Sequence, residues 1–389
     1  MKWPTSVCGA FLLLGTLAGC GGGGSSTSTS NNGNNGGSNG GGSPLPAGTE
    51  LLYVGDNVGV IHGFGIDPSS GKLTPLRSTN VTNQQAAADV GLTADAGSMV
   101  LYATSAGLGG PNVASFVVDQ KTGDLTPAGP GLTLPLTPRK LLAAGNSLYV
   151  IPDPSANAPD LFIFHIDVNG VLSLLPNQPI TLPGVPRDLA LDPSLSWLFV
   201  TFEGSSEGEI ASLSIKNGAL ASVVGSFHTG GDSPQGITIT PDGRFVIVVN
   251  QGTSNVSVLS LDTDTGALAA VSGSPFATGN QPDPVAIDPG GKFVFVGDTG
   301  GNSLSAFKIS AAGDLAPIAG TPIQLGDIAQ PSAIGLAPVD KFVYISIVPK
   351  EVAGFTFDPS TGALTPITGS PFSVGQVTRD LVIMPHAVQ

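Results

Sequence analysis

The sequence predicts an all-β fold, a seven-bladed β-propeller of four-stranded blades, closed by the C-terminal strand completing the first blade. Three observations lead there: a turn-rich, weakly charged composition, a motif that recurs about every 48 residues, and a chain that starts and stops in mid-repeat. Of 389 residues, 55 are Gly and 33 Pro, and only 11% are charged. No long stretch carries apolar residues at helical spacing, so helix should be minor.

The motif is an apolar strand, a turn ending in Gly, and a Leu two residues later. Its glycines are Gly71, Gly123, Gly170, Gly218, Gly266, Gly313 and Gly362, spaced 47 to 52 residues apart, which gives seven copies. A hairpin loop of three to five residues commonly needs one residue with φ > 0, and glycine adopts it at least cost. A second strand signal precedes each copy, as in Leu52-Tyr53-Val54 or Val294-Phe295-Val296, and a third lies upstream of that, as in Asp188 to Pro193 or Gly236 to Pro241. With the strand after the glycine, such as Leu364 to Ile367, each period holds four short strands, the number in a propeller blade.

The ends of the chain favour a ring over an open stack. The first repeat begins at its second strand, Leu51 to Val54, and the missing inner strand is matched at the far end by Arg379-Asp380-Leu381-Val382-Ile383-Met384-Pro385. A solenoid would want polar capping repeats, and none is evident.

The first 49 residues read differently. Lys2, the apolar run Val7 to Leu14 and then Leu17-Ala18-Gly19-Cys20 fit an export signal over residues 1–19, and the tetrad resembles a bacterial lipobox. That resemblance implies lipidation of Cys20 and an outer-membrane rather than inner-membrane anchor, since Gly21 follows the cysteine where Asp often marks inner-membrane retention. Residues 20–49 form a Gly/Ser/Asn-rich tether, with an r.m.s. reach of about 30 Å, to a propeller spanning 50–389. Cys8 falls inside the signal, so the exported chain has no second cysteine for a disulfide or a metal site. The formal net charge of −14 argues against nucleic acid or anionic lipid as partners. Contact with the membrane is expected through the N-terminal lipid alone, and the propeller is expected to be a monomer. No cofactor and no metal are expected. Asp262-Thr-Asp-Thr-Gly266 faintly resembles a calcium loop, but it coincides with the repeat hairpin and lacks the distal Glu, so it reads as a turn.

The blade motif Pro241-Asp-Gly-Arg-Phe245, its variant Pro289-Gly-Gly-Lys-Phe293 and the Gly-Ser-Pro-Phe turns at Gly273 and Gly369 resemble those of the lactonase-type seven-bladed propellers, the family of propeller 6-phosphogluconolactonases and carboxymuconate cycloisomerase-like proteins. The resemblance covers residues 50 to 389. It implies an active-site signature of Pro-Arg-His opening an inner strand, followed one strand later by Asn-Glu. Pro186-Arg187 matches and Glu203 stands at the Glu position, while Asp188 replaces His and Phe202 replaces Asn. Arg187, Glu203 and, less well, Asp188 are thereby the catalytic candidates. The imidazole suited to proton transfer near neutrality is missing.

Aligning the seven inner-strand starts gives two columns. One reads Ala88, Arg139, Arg187, Gln235, Asp283, Ser332 and Arg379; the next reads Asp89, Lys140, Asp188, Gly236, Pro284, Ala333 and Asp380. In a propeller both columns encircle one mouth of the central channel, so Arg139, Lys140, Arg379, Asp380, Asp89, Gln235 and Asp283 are ligand-binding candidates beside Arg187 and Asp188. Two readings follow. In one, the mouth, or the proline-rich loop Ile151 to Asp160, binds a small anionic ligand or an envelope protein without catalysis, the arginines gripping carboxylate or phosphate. In the other, Arg187 polarises a lactone carbonyl and Glu203 positions the attacking water. The remaining imidazoles, His62, His165, His228 and His386, read as strand, connection or tail positions.

Overall fold

The computed structural model describes residues 43–81, 89–95, 97, 99–106, 111–202, 208–216, 219–337 and 341–385. Two units separate along the chain, Met1–Gly40 and Gly41–Gln389. The first, with Cys20, lies outside the described residues. No helix among the described residues is long and apolar enough to cross a membrane.

Among the described residues there are seven antiparallel sheets, blades 1 to 7 in chain order, whose second strands are Glu50–Asp56, Val100–Ser105, Ser147–Pro152, Trp197–Phe202, Phe245–Asn250, Phe293–Asp298 and Phe342–Val348. Blade 3 is representative, running outward from Pro138–Ala144 through Ser147–Pro152 and Asp160–Ile166 to Leu172–Leu174. The expected closure is present: Thr378–Met384 pairs with Glu50–Asp56, with Leu381 opposite Val54 and Val382 opposite Tyr53. In five blades the outermost strand is interrupted, as where Leu268–Ala270 and Phe276–Ala277 flank the turn at Gly273, both pairing with Asn255–Leu261. Blade 4 instead carries one continuous outer strand, Ala219–His228.

Each blade has neighbours on both faces, so its second strand is apolar at successive positions rather than alternate ones. Trp197–Phe202 and Phe245–Asn250 are buried throughout. The core is accordingly divided into seven clusters, one at each blade-to-blade interface. Burying these side chains at roughly 25 cal/mol per Å² of apolar surface supplies the main stabilisation in a fold whose sheets otherwise share few hydrogen bonds.

The turn glycines meet two demands. All six described ones have φ between 71° and 90°, and Gly218 lies outside the described residues. Several also receive the preceding blade: a methyl on Gly266 would overlap the Trp197 ring, and one on Gly71 would overlap Phe342. Hydrogen bonds follow the same direction, from Trp197 Nε1 to the Thr263 carbonyl (2.8 Å) and from the Tyr53 hydroxyl to the Gly123 carbonyl (2.8 Å). Pro241 to Phe245 is likewise scaffold, since Arg244 donates to the Ala311 carbonyl and its guanidinium lies 5.0 Å over Phe245.

One alignment requires correction. The residue opposite the third position of the second-strand triplet is Leu381, Leu141, Leu189, Ile237, Val285 and Ile334 in six blades, and in blade 2 it is Leu92, opposite Ala103. The two blade-2 column positions are therefore Val90 and Gly91, not Ala88 and Asp89. Ala88 lies outside the described residues. The physical reason is a bulge: the other six inner strands shift register at their start, whereas blade 2 pairs regularly from Val90 onward.

Candidate functional site at the channel mouth

The six bulges create the site. A bulge leaves one residue unpaired and re-aims its side chain. The residues at these breaks include Arg139, Arg187, Gln235, Asp283, Ser332 and Arg379. In four blades a proline opens the inner strand, namely Pro138, Pro186, Pro234 and Pro282, which suits a strand's first residue because no ladder donor is lost there.

A cleft of about 220 Å³ opens at this end, lined among others by Asp89, Arg139, Lys140, Asp283, Arg379 and Asp380. Six of the nine residues predicted for the mouth and described here thus share one cavity. Arg187, Asp188 and Gln235 are not in its lining, and Glu203 lies outside the described residues. Gln235 is buried, and its backbone carbonyl accepts from the Thr201 hydroxyl at 2.8 Å. Asp89 reaches the cleft from just before its strand, although its column position was misassigned.

Asp188 and Asp380 are engaged in an identical way. Asp188 accepts the Leu189 N–H at 2.9 Å and, from the next blade, the Ile237 N–H at 3.3 Å. Asp380 accepts the Leu381 N–H at 2.9 Å and the Leu92 N–H of the next blade at 3.0 Å. Each carboxylate latches two blades together with both its oxygens. Burial raises the pKa of both acids, outweighing Lys140 and the donated N–H groups that pull the other way. Asp188 is therefore a poor candidate for a general base that must leave its station.

Lys140 is partly open to the channel yet ringed by protein. Burial disfavours its charge, but the carboxylates of Asp188, Asp380 and Asp283 outweigh burial and hold its pKa above the ordinary lysine value. These acids belong to blades 4, 1 and 6, so the ammonium acts as a central counter-ion for distant parts of the ring.

Two arginines of the mouth are paired. Arg379 Nε donates to Asp89 Oδ1 at 2.8 Å, across 290 residues of sequence. Arg139 lies 3.7 Å from Asp153. Burial alone would raise the pKa of Asp153; the hydrogen bonds from Ser155 and the charges of Arg139 and Arg187 outweigh it, and the carboxyl stands below its usual range.

Sequence reasoning passed over Thr299 and Gln330, and reached Ser332 only as a column member and Asp153 only as part of the loop Ile151 to Asp160; all four line the cleft. Asp153 had a readable signal, an Asp-Pro-Ser start that caps the short 3-10 turn Pro154–Ala156, with the Ser155 N–H at 2.9 Å. Nothing local told that the cap faces the channel.

Elsewhere, His62 bonds the fully buried Asp56 (2.9 Å) and Ser78 (3.2 Å), and Asp56 also accepts the Val58 and Val60 N–H groups. Opposite Val54, His62 holds the register that Ser257 and Ser305 hold in blades 5 and 6, where Asn250 and Asp298 play the part of Asp56. This is a blade-closing clamp. Asp262 is likewise consumed by its turn, accepting from the Asp264 N–H and from Thr265.

A ring of seven four-stranded blades with a polar cleft at the bulged starts of its inner strands defines a seven-bladed propeller whose candidate site is the channel mouth. Residues 206–280 match the family model described as Lactonase, 7-bladed beta-propeller. Among solved structures it is similar to a putative 6-phosphogluconolactonase from Bacteroides fragilis, at 19% identity and a TM-score of 0.70, covering 87% of this chain and 98% of that one. It is similar too to the periplasmic gluconolactonase of Pseudomonas aeruginosa, at 18% identity and TM-score 0.67, covering 88% and 100%. AztD from Citrobacter koseri shares the fold more distantly, at 13% identity and TM-score 0.57, covering 88% and 99%. No curated protein sequence matches. At these identities the structural likeness speaks for the fold.

Proposed function

We propose that the channel mouth binds a lactone and opens its ring by hydrolysis, in a propeller tethered to the cell envelope through a lipidated Cys20. The observation that supports this reading is the cleft itself, where cationic and carboxylate side chains from several blades interleave around a cavity of about 220 Å³ in a propeller of lactonase type. Ester hydrolysis asks for that mixture. A cation steadies the negative charge that develops on the carbonyl oxygen, and a carboxylate orients water and receives its proton as the acyl–oxygen bond breaks. By resemblance the roles fall to Arg187, which is not in the lining but whose charge acts on the cleft residue Asp153, and to Glu203, which lies outside the described residues. A second reading, capture of the ligand without turnover, is favoured by one feature: no histidine is among the residues lining the cleft.

The test is a panel of aldonolactones and simple ester lactones offered to the full chain, with Arg187→Ala and Glu203→Ala beside wild type. The expected outcome is wild-type turnover that falls about 10²- to 10³-fold in kcat in each variant, the usual cost of removing one group that stabilises a developing oxyanion or positions the water. A wild type that is stabilised thermally by lactones but turns none over would replace hydrolysis with capture.

A further inference from the structure

Resting on that reading, we infer that the mouth accepts an uncharged, polyhydroxylated lactone and rejects its phosphorylated counterpart, with Asp89 and Asp153 as the residues that set this specificity. The sequence alone led to the opposite expectation, because three arginines and a lysine at one mouth look like an anion site. The geometry changes the balance. Arg379 is held by Asp89 at 2.8 Å and Arg139 stands 3.7 Å from Asp153, so two guanidinium groups that would grip a phosphate already face carboxylates. The third cation in the lining, Lys140, sits in the combined field of Asp188, Asp283 and Asp380. Among the cleft-lining residues four are acidic (Asp89, Asp153, Asp283, Asp380) and three basic (Arg139, Lys140, Arg379).

A phosphomonoester brings about −1.5 to −2 charges. It would have to displace two ion pairs and would then stand beside the released carboxylates, and juxtaposed like charges disfavour a partner. A sugar ring meets no such barrier. Its hydroxyls donate to carboxylates and accept from guanidinium and ammonium groups, so an alternating acid and base lining satisfies both of its functions. The cavity, below the roughly 300–1,000 Å³ of pockets for drug-sized ligands, suits a single ring. The same balance assists release: addition of water across the acyl–oxygen bond turns a neutral ester into a hydroxy-carboxylate, whose new charge the surplus acids repel.

The experiment compares glucono-δ-lactone with its 6-phosphate on the full chain, by initial rates of acid release, in wild type and in the double variant Asp89→Asn with Asp153→Asn. Asparagine keeps the capping acceptor at position 153, and Asp89 is exposed, so the variant should fold; its melting curve checks this. Wild type is expected to favour the neutral lactone by about tenfold or more in kcat/KM, and the double variant to narrow or invert that ratio. A wild-type preference for the phosphorylated lactone, or an unchanged ratio in the variant, overturns the inference and leaves lactone hydrolysis standing. If neither lactone is turned over, hydrolysis itself fails, and thermal stabilisation decides the charge preference. Stabilisation of wild type by 6-phosphogluconate or inorganic phosphate, or by no ligand including neutral gluconolactam, overturns the inference.

Discussion

Asp380 shows how one side chain can be chosen for architecture inside what looks like a binding site. Its two oxygens hold the N–H groups of Leu381 and Leu92, and so join the last strand of the chain to blade 2. An asparagine would set an NH₂ against one of those N–H donors and leave a buried donor unsatisfied, a loss of about 1–3 kcal/mol. We therefore expect Asp380→Asn to lower unfolding free energy by about that amount in urea titrations, at an unchanged m-value. A similar loss is expected for Asp188→Asn; a neutral effect at both sites would mean the latches contribute nothing. Many other aspartates are absorbed by turns in the same manner. Asp67, Asp119 and Asp358 each accept from residues two and three positions on, and these bonds hold their carboxyl pKa values low. Part of the acidic excess is therefore held in tight turns.

At the scale of the element, the repeat was legible because each blade reuses the same turn and the same apolar triplet. What the repeat concealed was register. Counting back from the strand start assigned blade 2 to Ala88 and Asp89, whereas counting from the core residue Leu92 assigns it to Val90 and Gly91. The presence or absence of a bulge separates the two counts, and no single residue type announces a bulge. The turn glycine was legible for its φ but not for its second duty, receiving the neighbouring blade. A paired substitution distinguishes the two. Gly375→Ala, at φ +87° with open space around it, should cost about 1–2 kcal/mol from backbone strain alone. Gly266→Ala, at φ +72° and against Trp197, adds overpacking of about 1–3 kcal/mol. Thermal melts of the two should therefore separate, with Gly266→Ala the lower; coincident curves would show that the ring of Trp197 yields freely.

For the whole molecule, closure is the decisive interaction. Glu50–Asp56 is buried along its full length only because Thr378–Met384 pairs beside it, and Leu381 and Met384 enter the clusters on either side of blade 1. Truncation after Val377 removes a central partner from two of the seven interfaces. The expected result is loss of the single cooperative thermal transition and binding of a dye for exposed apolar surface. A truncated chain that melts as sharply and as high as the full one would show that the ring does not depend on its closing strand. The Asp89–Arg379 pair belongs to this scale too, since it exists only when the C-terminal strand lies beside blade 2.

Local chemistry repeated along the chain, namely the alternation of strand and turn, the glycine spacing and the split first repeat, was enough to determine an all-β ring of seven blades and to locate a mouth ringed with charge. These features depend on neighbours within a few residues, so they are written in the order of amino acids. Which charges meet was decided by the tertiary structure alone. Arg379 finds Asp89, Arg139 finds Asp153, and Lys140 answers three acids from three blades, because ion pairing depends on distance in space and the ring brings together residues that the sequence holds far apart.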